Sequence, residues 1–450
     1  MQSLQRIYDD HAYTPTRRVG TVWESTLPLP RPCPSLVGDH RADVVIIGGG
    51  FTGLSAALHL ARDHGIEATV LDAAQPGWGA SGRNAGFCGY GGAKLSDGRM
   101  TKLYGEDQTR CFYSAQGEAI ELVRSLLKEQ CIDADTQPEG EYCLAHSAAA
   151  KTTLPAHAAS LKKFTGHTCD LLAAEELRAN GVHAEGLHGG LLLPKGFGLN
   201  PGKYVQGLAQ AAEKAGSRIF GNSPAIEIRE LENGRYQVDT PTGRILADRL
   251  IVATNGYSSD NLPDWLRGRY LPVVSHMLVT RSLSDQELQS QGWTSRRIAF
   301  DTRGLLHYFR LLPDGRMLFG MRGTSDITPK SQAHMGRLVR RHFEAMFPEF
   351  TAAETEFHWS GLVCLSRNLV PYVGRIGDWR HAWTGLAYHG GGVAMATYAG
   401  RMLAGLTAQK PDPSPYPEFM ATGLPRFPIP RLRRHALPFA FAFYGLMDRW

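Results

Sequence analysis

Residues 43–72 read DVVIIGGGFTGLSAALHLARDHGIEATVLD. Val44 to Ile47 are consecutive β-branched residues, the pattern of a strand buried on both faces in a parallel sheet. Gly48, Gly50 and Gly53 follow at G-x-G-x-x-G spacing. The first permits a tight turn, the second lets a pyrophosphate approach the backbone, and the third lets the next helix pack closely on the strand. That helix starts at Phe51 and Thr52, is apolar at Leu54, Ala57, Leu58 and Ala61, and offers free N–H groups to an anion at its N-terminus. Gly65 is a stop signal, and Ala68 to Leu71 reads as a second strand ending at Asp72. An acid about 20 residues past the glycines is the group expected to hydrogen-bond a ribose 2′-OH. A βαβ unit whose glycines merely make a turn leaves that acid unexplained, and an acid in place of a base at 72 speaks against a 2′-phosphorylated ligand.

The chain is 450 residues long and 43% hydrophobic, enough for a large core and two or three domains. Its net charge of +5 comes without a sustained basic run interleaved with aromatics, which argues against a nucleic-acid role. No N-terminal apolar region looks like a secretory signal, and no apolar run approaches the ~20 residues that span a bilayer. Seven cysteines are scattered without C-x-x-C spacing. A reducing cytoplasm is the simplest reading, with neither a disulfide framework nor a metal site.

Residues 1–40 show no sustained period, and Pro28, Pro30, Pro32 and Pro34 favour an extended arm over the first domain, anchored by Trp23. After Asp72, eight glycines fall between Gly77 and Gly98. Within them, Gly77-Trp78-Gly79-Ala80-Ser81-Gly82-Arg83-Asn84-Ala85-Gly86 combines small residues, which allow close backbone approach, with phosphate donors at Ser81 and Arg83. A helix is expected over 103–130, then strands at 131–144 and 186–193 of a second, mostly antiparallel sheet. Asn200-Pro201-Gly202 opens a helix over 203–215. Turns at Asn233-Gly234 and Thr242-Gly243 separate hairpin strands, and a buried strand over 250–253 closes on Ala-Thr-Asn-Gly-Tyr (253–257). Sheet pattern returns over 270–350, with a hairpin at Pro313-Asp314-Gly315 and a helix over 330–346. Near the end, Gly390-Gly391-Gly392 precedes a helix over 393–406 whose positive end can face an anion. The tail joins Arg431, Arg433 and Arg434 to a short apolar run, which either lies on a membrane surface or packs against the domain opened by the 43–72 unit.

These segments resemble the FAD-dependent amine and amino-acid oxidases of the D-amino-acid oxidase superfamily, closest to the γ-glutamylputrescine oxidase-like branch. The resemblance spans nearly the whole chain and rests on four segments in order: 43–72, 77–86, 223–257 and 357–406. It implies an α/β (α+β overall) protein: a Rossmann-like FAD-binding domain with a discontinuous, mostly antiparallel-sheet substrate domain. The expected division is an arm (1–40), FAD-binding segments (41–104, 195–269, 356–410), substrate-domain segments (105–194, 270–355) and a tail (411–450). It implies non-covalent FAD held by Gly48, Gly50, Phe51, Thr52, Gly53, Asp72, Ala80 to Gly86, Ala225, Thr254, Asn255, Gly256, Gly390, Gly391, Gly392 and Val393. Covalent attachment, known in related sarcosine oxidases, would fall on Cys364 or Cys88. Three departures lie on the expected substrate face. Gly390-Gly391-Gly392 replaces Gly-His-Gly, with His389 two places early; Ser366-Arg367-Asn368-Leu369-Val370-Pro371 replaces Thr-x-Asp-x-x-Pro; and Gly320-Met321 replaces a paired glycine.

The implied reaction oxidises the C–N bond of an amine or amino acid: a neutral amine gives hydride to flavin N5, and the imine hydrolyses to an aldehyde or keto acid. The acceptor is oxygen, giving peroxide, or a membrane quinone reached through the tail; a flavin-binding factor without turnover is the third reading. The candidate site residues are His276, His307, Tyr308, Arg310, Arg322 and His389. Strand alternation puts His307 and Phe309 on one face and Tyr308 and Arg310 on the other. Arg310 or Arg322 can pair a substrate carboxylate or sit in a surface salt bridge. His389 is favoured by the adjacent glycines, whereas His276 has the alternative of an ordinary half-buried histidine.

Overall fold

The computed structural model describes residues 4–14, 19–28, 32–410 and 412–448. Strand Gly38–Ile47 runs parallel to Gly243–Val252 on one side and to Ala68–Leu71 on the other. Val44 and Ile46 point into a core shared with helix Phe51–His64, while Val45 and Ile47 point into a second core with Leu250 and Val252. Both faces are covered, which is why this strand carries an unbroken apolar run rather than an alternation. Arg218–Phe220 extends the sheet beyond Ala68–Leu71, and Ala382–Leu386 then Tyr372–Arg375 extend it past Gly243–Val252. A short antiparallel hairpin, Glu227–Glu230 and Tyr236–Asp239, completes its eight strands.

Helix Phe51–His64 is buried all along its first ten residues because helix Gly392–Ala408 crosses it. The crossing point is Gly400, where a Cβ would stand 2.5 Å from both Ser55 Cβ and the Thr52 carbonyl oxygen. Ser55 Oγ donates to the Thr397 carbonyl at 2.7 Å, a buried hydrogen bond that fixes the register of the two helices.

The second sheet also has eight strands: Thr355–Ser366, Tyr270–Ser282, Arg316–Thr324, His307–Leu311, Ile298–Asp301, Glu141–Leu144, Gly189–Leu193 and Asp170–Ala173, in that order. Every neighbouring pair is antiparallel except Ile298–Asp301 with Glu141–Leu144. Helix Pro329–Met346 covers its outer face with Met335, Val339 and Phe343.

Several sequence expectations change here. The helix over 103–130 is two helices, Asp97–Tyr104 and Glu106–Glu129, broken at Gly105, whose φ of +86° continues neither. The strand begun at 131 starts only at Glu141, because Asp135 takes a positive φ and Pro138 and Gly140 interrupt pairing. Helix Ala148–Thr165, capped by Ser147, was not anticipated. Strand Thr355–Ser366 pairs along Tyr270–Ser282, so residues divided off at 356 with the flavin segments belong to the second sheet. The N-terminal arm touches both sheets: Leu36 enters the core formed by Val45, Ile47, Leu250 and Val252, while Tyr8 donates to the Pro272 carbonyl. Trp23 anchors it through a hydrogen bond to the Asn84 carbonyl at 2.9 Å and an edge contact with Trp359; Pro30 lies outside the described residues. The tail forms helix Leu437–Met447, which packs through Leu437 on Leu271 and Val273 of the second sheet, while Phe427 N–H on the Gly268 carbonyl and Arg433 on Asp260 tie the tail to the end of the 195–269 segment as well.

Gly400→Val is expected to lower stability by about 3 kcal/mol, since the new atoms meet backbone as well as side chain. Urea unfolding of wild type and variant measures it.

Candidate active site

A cavity of about 500 Å³ lies between the two sheets. Its floor is the carboxyl end of the first sheet, where ligands of open α/β sheets bind. Gly48 turns with φ +113°, and a Cβ there would stand 2.6 Å from the Ala253 carbonyl oxygen. The first glycine turn and the closing Ala253-Thr254-Asn255 segment therefore touch backbone to backbone. Gly53 allows helix and strand to close: its Cβ would fall 1.9 Å from the Gly48 carbonyl oxygen. At the end of Ala68–Leu71, the Asp72 carboxylate accepts Gly49 N–H at 2.7 Å and Ala74 N–H at 2.8 Å. Burial pushes its pKa up, and these two N–H groups pull against that. Its oxygens keep acceptor capacity on the cavity wall.

In the 77–86 loop, Ser81 Oγ accepts Phe51 N–H at 2.9 Å, placing this loop over the N-terminus of helix Phe51–His64. The Arg83 guanidinium lies over the Trp78 ring at 4.1 Å and donates Nε–H to the Trp78 carbonyl. Its Nη1 donates to the Ser360 carbonyl at 3.4 Å and its Nη2 is buried without a protein partner, while the side chain as a whole lines the cavity. Asn84 builds the loop itself, donating to the Ala80 and Ser81 carbonyls and accepting Gly86 N–H. Ala80, Ala85, Ala225, Thr254 and Asn255 line the wall, and Asn255 Oδ1 accepts Ala387 N–H, joining two of the expected segments. Gly390 to Val393 line it at the start of helix Gly392–Ala408, and Thr52 Oγ1 meets Tyr388 Oη at 2.9 Å beneath.

Four of the expected contacts act through packing instead. Gly53, Gly82, Gly86 and Gly256 stand behind the wall, where added Cβ atoms would meet Gly48 O, Gly77 O, Leu199 O and Leu362 Cβ. Glycine spacing marks close approach without saying whether ligand or protein approaches.

The roof is one face of the second sheet. Ser275, Tyr308 and Arg322 share it through the registers Ser275–Arg322 and Tyr308–Gly320. Tyr308 lies across Gly320, where a Cβ would come within 2.1 Å of its ring, and meets Ser275 Oγ at 2.7 Å. Arg322 Nη2 donates to the His389 carbonyl at 3.2 Å. His389 is buried with φ +51°, and its Nε2 pairs with Ser366 Oγ at 3.1 Å. Two of the sequence departures thus meet each other. Burial pushes the His389 imidazole down to about 3, so it is neutral at physiological pH.

Three candidates fall away. His276 is on the outer face, stacked on His358 with ring centroids 5.6 Å apart, because alternation turns it opposite to Ser275. Arg310 shares the Tyr308 face but sits one step farther along, donating to Gln137 Oε1 and the Leu199 carbonyl, a tie between segments. His307 faces the outer side, paired with buried Asp301 at 3.0 Å. Of the cysteines, Cys364 lines the cavity as a thiol pushed up to about 12 by burial, whereas Cys88 is buried outside the wall. The structure adds Lys94, Glu141, Ser275 and Tyr388 to the wall, with Arg6 and Tyr13 from the arm. Only Lys94 had a sequence signal, as the residue following the crowded glycines of the second loop.

An acid with spare acceptor capacity, the Arg83 side chain and the N-termini of two helices lie along one cavity. They fit a ribose, a pyrophosphate and an electron-rich ring, and so define a dinucleotide-binding α/β protein. Residues 43–406 match the family model of the FAD-dependent oxidoreductases, named DAO. The chain belongs to that family, is an oxidoreductase, and its cofactor is FAD. It is 31% identical to a probable oxidoreductase OrdL of Rhizobium meliloti, covering 95% of this chain and 97% of the relative. It is 30% identical to the gamma-glutamylputrescine oxidoreductase of Escherichia coli K12, covering 90% and 93%. Among solved structures, glycine oxidase from Geobacillus kaustophilus superposes with a TM-score of 0.70 at 19% identity, over 85% of this chain and 99% of that one.

Asp72→Ala is expected to weaken FAD binding about 10- to 100-fold, since it removes a wall acceptor and strands two N–H groups. Flavin fluorescence during titration of the apoprotein measures the change.

Proposed function

We propose that the enzyme oxidises the C–N bond of a primary or secondary amine or amino acid to an imine, which hydrolyses to an aldehyde or keto acid, with oxygen as acceptor. The observation that carries this reading is the polar roof of Ser275, Tyr308 and Arg322 held over the His389–Gly392 segment. The names of two relatives, gamma-glutamylputrescine oxidoreductase and glycine oxidase, support amine donors. In this reading the first sheet is the core of the cofactor half and the second that of the substrate half.

Bound FAD supplies the hydride acceptor and reduces oxygen to hydrogen peroxide. The chain's part is positioning. Tyr308, held by Ser275 and seated on Gly320, orients the donor; Arg322 supplies a fixed positive charge; and neutral His389, held by Ser366, adds no charge that would oppose binding. Exclusion of water favours the unprotonated amine that can lose hydride.

Anaerobic addition of an amine panel is expected to bleach the flavin bands, and readmitted air to restore them with stoichiometric peroxide. Flavin that no amine bleaches would sink the proposal. Tyr308→Phe should slow bleaching about tenfold with FAD content unchanged. The pH profile of bleaching should rise as the donor deprotonates, with no His389 limb between about pH 5 and 9, because that imidazole loses its proton near 3. A limb near 6 abolished by His389→Asn would contradict this.

One observation favours a second reading, a membrane quinone as acceptor. Helix Leu437–Met447 turns its apolar residues outward, with Phe439 79%, Phe443 59% and Leu446 57% exposed. No acid occurs between Glu418 and Asp448, and Arg431 is exposed beside the helix. Arg433 is turned inward onto Asp260 at 2.7 Å, so it does not join a basic surface. Among the described residues no helix is long and apolar enough to cross a membrane, so the contact proposed is interfacial. Co-sedimentation with phosphatidylglycerol vesicles, lost in Phe439→Ser/Phe443→Ser, together with turnover by a soluble quinone and not by oxygen, would favour this version.

A further inference from the structure

We propose that the tail is a lipid-facing strap: an anionic membrane surface docks on its outward apolar side chains, and the docked tail orders two wall segments of the cavity. This rests on the interfacial contact of the second reading above, whichever the acceptor, and assigns that contact a role at the site.

The tail reaches the cavity wall from both of its ends. At the far end the Asp448 carboxylate accepts Gly304 N–H at 2.7 Å and Leu305 N–H at 3.1 Å. Tyr444, one turn earlier, lies on Gly304, where a Cβ would stand 2.5 Å from its ring. These residues belong to the loop between strands Ile298–Asp301 and His307–Leu311, and the next residue, Leu306, lines the cavity. Asp301 pins the base of that loop by accepting Arg303 N–H and His307 N–H, which leaves Gly304 and Leu305 to the tail. At the near end Arg434 donates to the Ile7 carbonyl at 2.9 Å and lies over the Tyr8 ring. Ile7 follows Leu4 and Arg6, which line the cavity from the N-terminal arm. Residues 4–9 and 302–306 carry no helix or strand, so ties of this kind set their positions.

The tail's other side chains face out. Ile429, Leu432 and Met447 are exposed along with Phe439, Phe443 and Leu446, while Leu437 alone is its fully buried anchor in helix Leu437–Met447. The charge among them is of one sign. Between Glu418 and Asp448 the exposed ionisable side chains are Arg426, Arg431 and His435, and exposed Arg367 donates to the Arg426 carbonyl at 3.1 Å. Outward apolar side chains beside basic ones suit the interface of an anionic bilayer. A second copy of the chain fits worse, because two-fold pairing would set this basic surface against itself with no acid of the tail to oppose it. Lipid that buries Phe439, Phe443 and Leu446 holds the helix that carries Tyr444, and with it Asp448 and the 302–306 loop. A wall ordered beforehand costs the donor less to bind.

The test uses the full chain loaded with FAD, as wild type, Phe439→Ser/Phe443→Ser and Asp448→Ala. Vesicles are phosphatidylcholine alone or mixed with an equal part of phosphatidylglycerol. Wild type and Asp448→Ala are expected to co-sediment with the mixed vesicles and not with phosphatidylcholine alone. The serine pair should stay in solution with its melting temperature unchanged. Amide hydrogen exchange reads the strap: with mixed vesicles the Gly304 and Leu305 amides of wild type should exchange about tenfold more slowly, and those of Asp448→Ala should not change. Half-bleaching of the flavin should need about threefold less donor on the vesicles, an advantage lost in Asp448→Ala. No co-sedimentation, or equal co-sedimentation with the neutral vesicles, overturns the lipid surface, as would a dimer that the serine pair dissociates. Co-sedimentation that leaves the 304–305 amides unchanged overturns the strap while the interfacial contact stands. Bleaching by no amine refutes the C–N reading, and the exchange measurement then decides the strap alone.

Discussion

The whole site hangs on a backbone contact that only glycine allows. At Gly48 the chain passes 2.6 Å, measured from a would-be Cβ, from the Ala253 carbonyl, and Gly53 closes on Gly48 itself at 1.9 Å. Side chains at these places would push the first helix off the first strand and the 253–255 segment off the turn. The floor of the cavity, the N–H groups that face it and the position of Asp72 all follow from that approach. Gly400 repeats the device one layer out, letting the C-terminal helix settle on the first one and bring Gly390 to Gly392 to the same cavity.

The roof obeys a different constraint. On an antiparallel sheet, neighbours across strands share a face, so Ser275, Tyr308 and Arg322 converge although they are far apart in sequence. The same rule sends His276 and His307 outward, each to an ordinary partner. What remains facing the cavity is unevenly charged. His389 and Glu141 are held neutral by burial, and Lys94 and Arg322 lack a counterion.

Much of the first sheet and its glycine turn was legible because dinucleotide binding uses local chemistry: a strand, a turn, a helix N-terminus and an acid within one βαβ unit. The long central strands, the 329–346 helix and the 392–408 helix were readable from period and flanking residues for the same reason. Boundaries failed where a single residue overrides a pattern, as Gly105 does between two helices whose apolar spacing continues through it. That the 355–366 strand pairs with 270–282 is not legible in the sequence, because an apolar strand carries no mark of its partner.

By itself the sequence determined the Rossmann-like unit, the class of cofactor and the order of the segments that hold it, since each depends on residues adjacent in the chain. Only the tertiary structure decided which glycines face ligand and which face protein, that Arg310 is a tie and His276 an outer-face residue, and that Lys94 stands beside Arg322. Those outcomes depend on strand register and on the packing of one half of the molecule over the other. They bring together residues more than 200 positions apart, and no local pattern of the chain encodes that distance.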